Sequence, residues 1–208
     1  HDPYRDPWDE SPLIDRRSVT GPHAEAVVAA LGWAESALAD PVGYLATGEL
    51  IPARCVTERV AALEDGYDTI FDGTRQLLST ADLAMSHWEP SIVDDGNPTP
   101  CIATFNMSTA PAAADAAARA GIDVALAVGN HLGDCWGGCS YVTAVQQTVA
   151  HLQSAGLVVA GAGDNLAEAR QPALVTVGGV TFAFLGYDEI AWAHYGASEE
   201  TPGTAHAD

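Results

Sequence analysis

Gly121-Ile122-Asp123-Val124-Ala125-Leu126-Ala127-Val128-Gly129-Asn130-His131-Leu132-Gly133-Asp134 is the stretch from which the fold can be read. Ile122 to Val128 is a short, mostly apolar run between two glycines, which predicts a central parallel strand covered on both faces. An amide, an imidazole and, three residues past the histidine, a carboxylate follow at once. Open α/β sheets bind their ligands outside the carboxyl ends of the strands. Asn130, His131 and Asp134 therefore stand where such a fold places its chemistry.

Elements on either side of this stretch support an α/β layered fold. Strands are predicted over 42–47, 82–87 and 157–160, and helices over 53–64, from Asp68 through Leu78, over 111–120 and over 141–155. Ala173 to Val177 and Val180 to Leu185 flank Gly178-Gly179, the turn signal of a β-hairpin. Upstream, residues 1–22 carry four prolines and read as an extended arm. Val27, Val28, Leu31, Ala34 and Leu38 predict a helix over 24–39 that Asp40-Pro41 ends. The division is an arm and helix over 1–40 and one α/β domain over 41–208.

The chain has 208 residues, a formal net charge of −20 and no lysine. Such a surface repels phosphate backbones and anionic lipid, so nucleic acid and membrane surfaces are not the expected partners. No apolar run reaches the about 18–20 residues of a membrane span. The four cysteines permit two disulfides in three connectivities, and Cys135 and Cys139 frame Trp136-Gly137-Gly138, a link able to close a small loop. An extracellular or cell-surface setting is favoured over a cytoplasmic one.

Three predicted strands end in potential ligands. The first leads to Glu49, the second to His87 and Glu89, and the third to Asn130, His131 and Asp134. Carboxylate, imidazole and amide oxygen converging at strand ends is a donor set for a hard or borderline divalent cation.

In order and spacing these residues resemble the bacterial capsule-synthesis CapA proteins, also called poly-γ-glutamate synthesis PgsA-like proteins, which are related to the calcineurin-like metallophosphatases. The resemblance runs through Thr47-Gly48-Glu49 with Arg54-Cys55-Val56, Ala81-Asp82-Leu83 with His87-Trp88-Glu89-Pro90, and Ala120-Gly121-Ile122-Asp123-Val124 with Gly129-Asn130-His131. It continues through Gly161-Ala162-Gly163 and the strand that ends at Tyr187. Two positions depart from the family pattern: Glu49 stands for an aspartate and His87 for an asparagine. The family's later His-Trp-Gly segment does not occur in these 208 residues, so the expectation is either that a second chain or a further segment completes the site or that the site is not a full one.

The resemblance implies a layered metallophosphatase-like fold with parallel or mixed sheets flanked by helices, of which this is the N-terminal part. It implies a divalent metal held by Glu49, Asn130, His87 and Glu89. The imidazole at position 87 favours zinc or manganese over calcium or magnesium. It also implies acid–base or positioning roles for His131, Asp134 and His87. Arg54, Trp88, Asp188 and His194, with Trp192, are implied on the substrate side. The expected activity is metal-assisted hydrolysis of a peptide or poly-glutamate type polymer. Peptide epimerisation at an α-carbon and a non-catalytic role in polymer export, homo-oligomeric or not, are the alternatives.

Overall fold

A computed structural model describes residues 41–94, 98–102, 104–190 and 192–206. The expected arm and helix over 1–40 lie outside the described residues. Strand β1 (Tyr44–Leu50) leads into α1 (Cys55–Ala61), a 3-10 helix (Gly66–Phe71), α2 (Arg75–Leu78) and β2 (Leu83–Trp88). The short strands β3 (Ser91–Ile92) and β4 (Ser108–Thr109) precede α3 (Ala112–Ala120) and β5 (Val124–Ala127). Then come α4 (Tyr141–Ser154), β6 (Val158–Ala160), β7 (Ala162–Gly163), α5 (Leu166–Ala169), the hairpin β8 (Ala173–Val177) and β9 (Val180–Phe184), α6 (Trp192–Tyr195) and β10 (Gly203–Thr204). Among the described residues no helix is long and apolar enough to cross a membrane.

The core is a parallel sheet in the order β1-β2-β5-β6. Alternation along its strands separates two apolar layers. Ala84 and Trp88 of β2 and Ala125 and Ala127 of β5 face the helices, where Val60, Phe71, Leu78, Val145 and Leu152 close over them. The alanines of α3 (Ala113, Ala116, Ala117 and Ala120) are buried in the same layer, and their small side chains let that helix approach closely. Leu83, Val124 and Ala160 face the other way and meet Phe184 of the hairpin, with Met85, Leu126 and Phe182 around them. The sheet is therefore covered by helices on one face and by a two-stranded antiparallel sheet on the other. This is the α/β class expected, and its central strand is parallel and buried on both faces.

Two aspartates at the amino edge are structural. Asp82 accepts the Gly43 N–H at 2.7 Å and Asp123 accepts the Ala84 N–H at 2.8 Å, which fixes where β1 and β2 begin. Both cysteine pairs are disulfides, Cys55–Cys101 and Cys135–Cys139. The first closes a 46-residue separation, worth about 4 kcal/mol by loop-entropy reasoning.

One predicted helix is absent. In place of a helix from Asp68 through Leu78 the chain forms a 3-10 turn and a separate four-residue helix, with Gly73 between them. Asp68 does not cap a helix. Its carboxylate instead takes Arg119 Nη2 of α3 at 2.6 Å and Arg75 Nη2 at 3.3 Å. The hydrogen bond from Arg119 comes first among the causes that hold Asp68 below the usual carboxylate range.

Because the folded-state proton affinity of Asp68 is depressed, its stabilising effect is present above the ordinary value of 3.8 and is lost as pH falls through the lower folded value. The site is solvent-screened, so Asp68→Asn should lower unfolding free energy at pH 7 by only about 0.5–1 kcal/mol. In urea titrations the gap from wild type should close as pH falls through the lowered folded-state value. A gap independent of pH would assign the effect to packing.

Candidate functional site

Glu49 reaches the site through an irregularity in β1. Tyr44, Leu45 and Ala46 pair with Leu83, Ala84 and Met85, but Glu49 pairs with His87 and Leu50 with Trp88, so β1 carries one extra residue between Ala46 and Glu49. Without this bulge, strict alternation would put Glu49 on the helix face with Leu45. The bulge reverses the phase. Leu50 then packs in the helix-side core and Glu49 stands beside His87 on the hairpin face. Thr47 and Ser86 fasten the irregular segment by donating to the Met85 and Gly48 carbonyls.

Glu49, His87 and Glu89 each offer a ligand atom, and these atoms lie within 4.8 Å of one another. His87 Nε2 lies 2.7 Å from the Val128 carbonyl, which can only accept, so that nitrogen carries the proton. The other ring nitrogen, Nδ1, faces Glu49 Oε1 at 4.0 Å. Glu89 Oε2 lies 3.3 Å from Nε2 on the other edge of the ring. Glu89 is only 5% exposed, whereas the Glu49 side chain is 58% exposed, so the group is closed at its base and open at its lip.

Burial is the first cause that pushes the Glu89 carboxyl above its ordinary range. His87 and His131 oppose the shift, while Glu49 and Asp188 add to it. The same residues show that His131 and Asp188 lie within electrostatic reach of the group. Two carboxylates and an imidazole grouped this closely fit a borderline divalent ion such as zinc or manganese. A cation there would offset the charge that burial disfavours.

Gly129 makes the approach possible. Its φ of 121° is a glycine conformation, and a Cβ there would lie 2.5 Å from Glu89 Oε2. Behind it the Val128 side chain lies between Gly161 and Gly186, where any side chain would collide with it. The glycines after β6 and β9 thus serve close packing beneath the site.

His131 Nδ1 lies 2.6 Å from Asp134 Oδ2, and that oxygen also accepts the Met107 N–H at 2.7 Å. A buried carboxylate that accepts from Nδ1–H fixes the ring and leaves Nε2 for proton transfer. Asp134 is therefore an orienting group, and its own carbonyl takes the Ser91 hydroxyl. Tyr195 was not legible in the sequence. Its ring lies against Gly133 and 5.8 Å from Tyr141, and its phenol is raised first by burial and then by the charge of Asp134.

A family model described as bacterial capsule synthesis protein, PGA_cap, matches residues 44–208. The chain belongs to that family. Its parallel sheet flanked by helices fits the metallophosphatase-like layered fold that membership implies. Comparison with curated proteins gives no match.

Within this capsule-synthesis domain the other sequence candidates separate. Asn130 is half-buried beside Gly129, and its amide has no hydrogen bond among the described residues. Asp188 is buried, and its carboxylate caps the Ile190 N–H at 2.8 Å. Trp88 requires correction. It is 1% exposed in the helix-side core and its indole N–H donates to the Pro90 carbonyl, so neither its face nor its donor can meet a substrate. His194 is exposed on α6, with its ring 6.3 Å from Tyr195, and it is Tyr195 that lies against the loop. The side chain of Trp192 lies outside the described residues. Arg54 donates to the Thr104 carbonyl at 2.9 Å.

Gly129→Ala should cost roughly 1–3 kcal/mol for the positive φ, plus the displacement of Glu89. In a Glu89→Ala background the second part disappears. Urea melts of the four proteins should therefore be non-additive, with the smaller loss in the double variant. Strict additivity would mean that Gly129 serves the backbone alone.

Proposed function

We propose that this protein is a metal-dependent hydrolase of a peptide or poly-glutamate type capsule polymer. The observation that supports this reading most directly is the three-donor group at the ends of β1 and β2 within reach of the His131–Asp134 pair after β5. Glu49, His87 through Nδ1, and Glu89 would hold the ion, with the Asn130 amide oxygen as a fourth donor. The bound ion would supply Lewis-acid polarisation of a substrate oxygen. His131 Nε2 exchanges the proton between water and the leaving group, and Asp134 keeps the ring in the tautomer that permits it. The open Glu49 side admits the substrate, and the closed Glu89 side excludes water.

Epimerisation needs two free acid–base groups on opposite faces of one carbon. His87 commits Nε2 to Val128 and turns Nδ1 towards Glu49, so hydrolysis uses the described residues more fully. The two disulfides support an oxidising location such as the cell surface.

Manganese or zinc should raise the melting temperature of the wild-type domain. Glu89→Gln should remove that shift while leaving the metal-free protein at least as stable, because a buried charge is lost. His131→Gln should keep the metal shift and lower polymer hydrolysis by about 10²–10⁴-fold. Unchanged hydrolysis in His131→Gln would sink the proposed proton route. An absent metal shift in the wild type would sink the metal site.

A further inference from the structure

Arg54 is the one non-glycine residue with positive φ among the described residues, at φ 56° and ψ −123°. An L side chain adopts that conformation only when its surroundings impose it. Here they do so from several sides. The carbonyl of Pro52, two residues before, accepts hydroxyl hydrogen bonds from Thr57 and Thr109. The next residue, Cys55, is bonded to Cys101. The guanidinium itself donates to the Thr104 carbonyl.

Arg75 and Arg119 are paired with Asp68, but no carboxylate pairs with Arg54 among the described residues. Among the described residues this half-buried cation thus has no carboxylate partner, in a chain of net charge −20. One nitrogen reaches Thr104, and a guanidinium has further N–H donors in a planar fork.

Its location links it to the site. Thr104, which holds Arg54, and Met107, which donates to Asp134, are three residues apart on one segment. Three residues span at most about 11 Å. Phe105, 88% exposed, stands between them. A chain of carboxylate-bearing residues with its scissile bond at His131 would place a neighbouring side-chain carboxylate within reach of that segment.

We propose that Arg54 is a carboxylate-binding subsite for an anionic peptide substrate, held ready by the Cys55–Cys101 bridge, with Phe105 as the apolar surface beside it. A protein this acidic repels an anionic polymer except where positive charge is fixed, and Arg54 fixes it on the segment that also holds Asp134. The substrate class rests on the hydrolase reading, whereas the binding of a carboxylate by Arg54 does not.

The test is binding of a tetraglutamate peptide to the manganese-loaded protein by calorimetry, with tetraglutamine as the neutral control. Arg54→Gly relieves the positive φ and removes the guanidinium. It should melt no lower than wild type, keep the manganese shift, and bind tetraglutamate at least about tenfold more weakly. Arg54→Lys, which keeps the charge but not the fork, should lie between the two. Equal tetraglutamate affinity in wild type and Arg54→Gly would overturn the proposal, as would equal affinity of the wild type for the two peptides. A marked loss of stability in Arg54→Gly with binding retained would make Arg54 a structural residue and overturn it too. If wild type shows no manganese shift, the metal reading fails, and the same comparison without metal still decides the role of Arg54.

Discussion

A carboxylate buried at the end of a parallel strand constrains everything near it, and Glu89 is that group. Taken out of water, its ionised form is disfavoured, and the neighbouring acids Glu49 and Asp188 deepen the penalty while His87 and His131 relieve it. The surrounding chain is shaped to keep it there. Gly129 has no side chain to displace it, and His87 is fixed by the Val128 carbonyl. Val128 can occupy its place only because Gly161 and Gly186 leave room. Three strand ends thus converge on one buried negative charge, an arrangement that favours a cation.

The sheet delivers the other groups by phase. In a parallel pair, neighbouring residues point to the same face, so His87 sets the face on which its partner must stand. The extra residue in β1 turns Glu49 to that face and Leu50 into the core in a single step. Metal-ligand geometry and core packing are coupled here. Removing the bulge would expose Leu50 and bury Glu49 among apolar side chains.

A second layer of support comes from loops stapled by disulfides. The described residues over 98–109 are tied to Cys55 through Cys101, to Arg54 through Thr104 and to Asp134 through Met107. Cys135–Cys139 closes the chain directly after Asp134. The groups proposed to bind the polymer and move its proton are therefore tied by covalent and hydrogen-bonded links to irregular backbone, which is how a loop holds a constellation.

Local pattern by itself determined the parallel central strand, the long helix over 141–155 and the Gly178-Gly179 hairpin, and it put Glu49, His87, Glu89 and the Asn130–Asp134 loop at strand ends. Apolar runs, helical spacing and glycine turns are short-range signals, and strand ends share an edge once the sheet is parallel. Gly48, just past the strand expected over 42–47, was the available sign of the bulge, but a lone glycine does not say which residue changes face. Tertiary structure decided what depends on distant partners. It paired Cys55 with Cys101 and gave Asp68 to two arginines instead of a helix end. It buried Trp88, which the resemblance had implied on the substrate side, because strand alternation sends consecutive residues to opposite faces. It also brought Tyr195 against Gly133, across a separation that no local pattern spans.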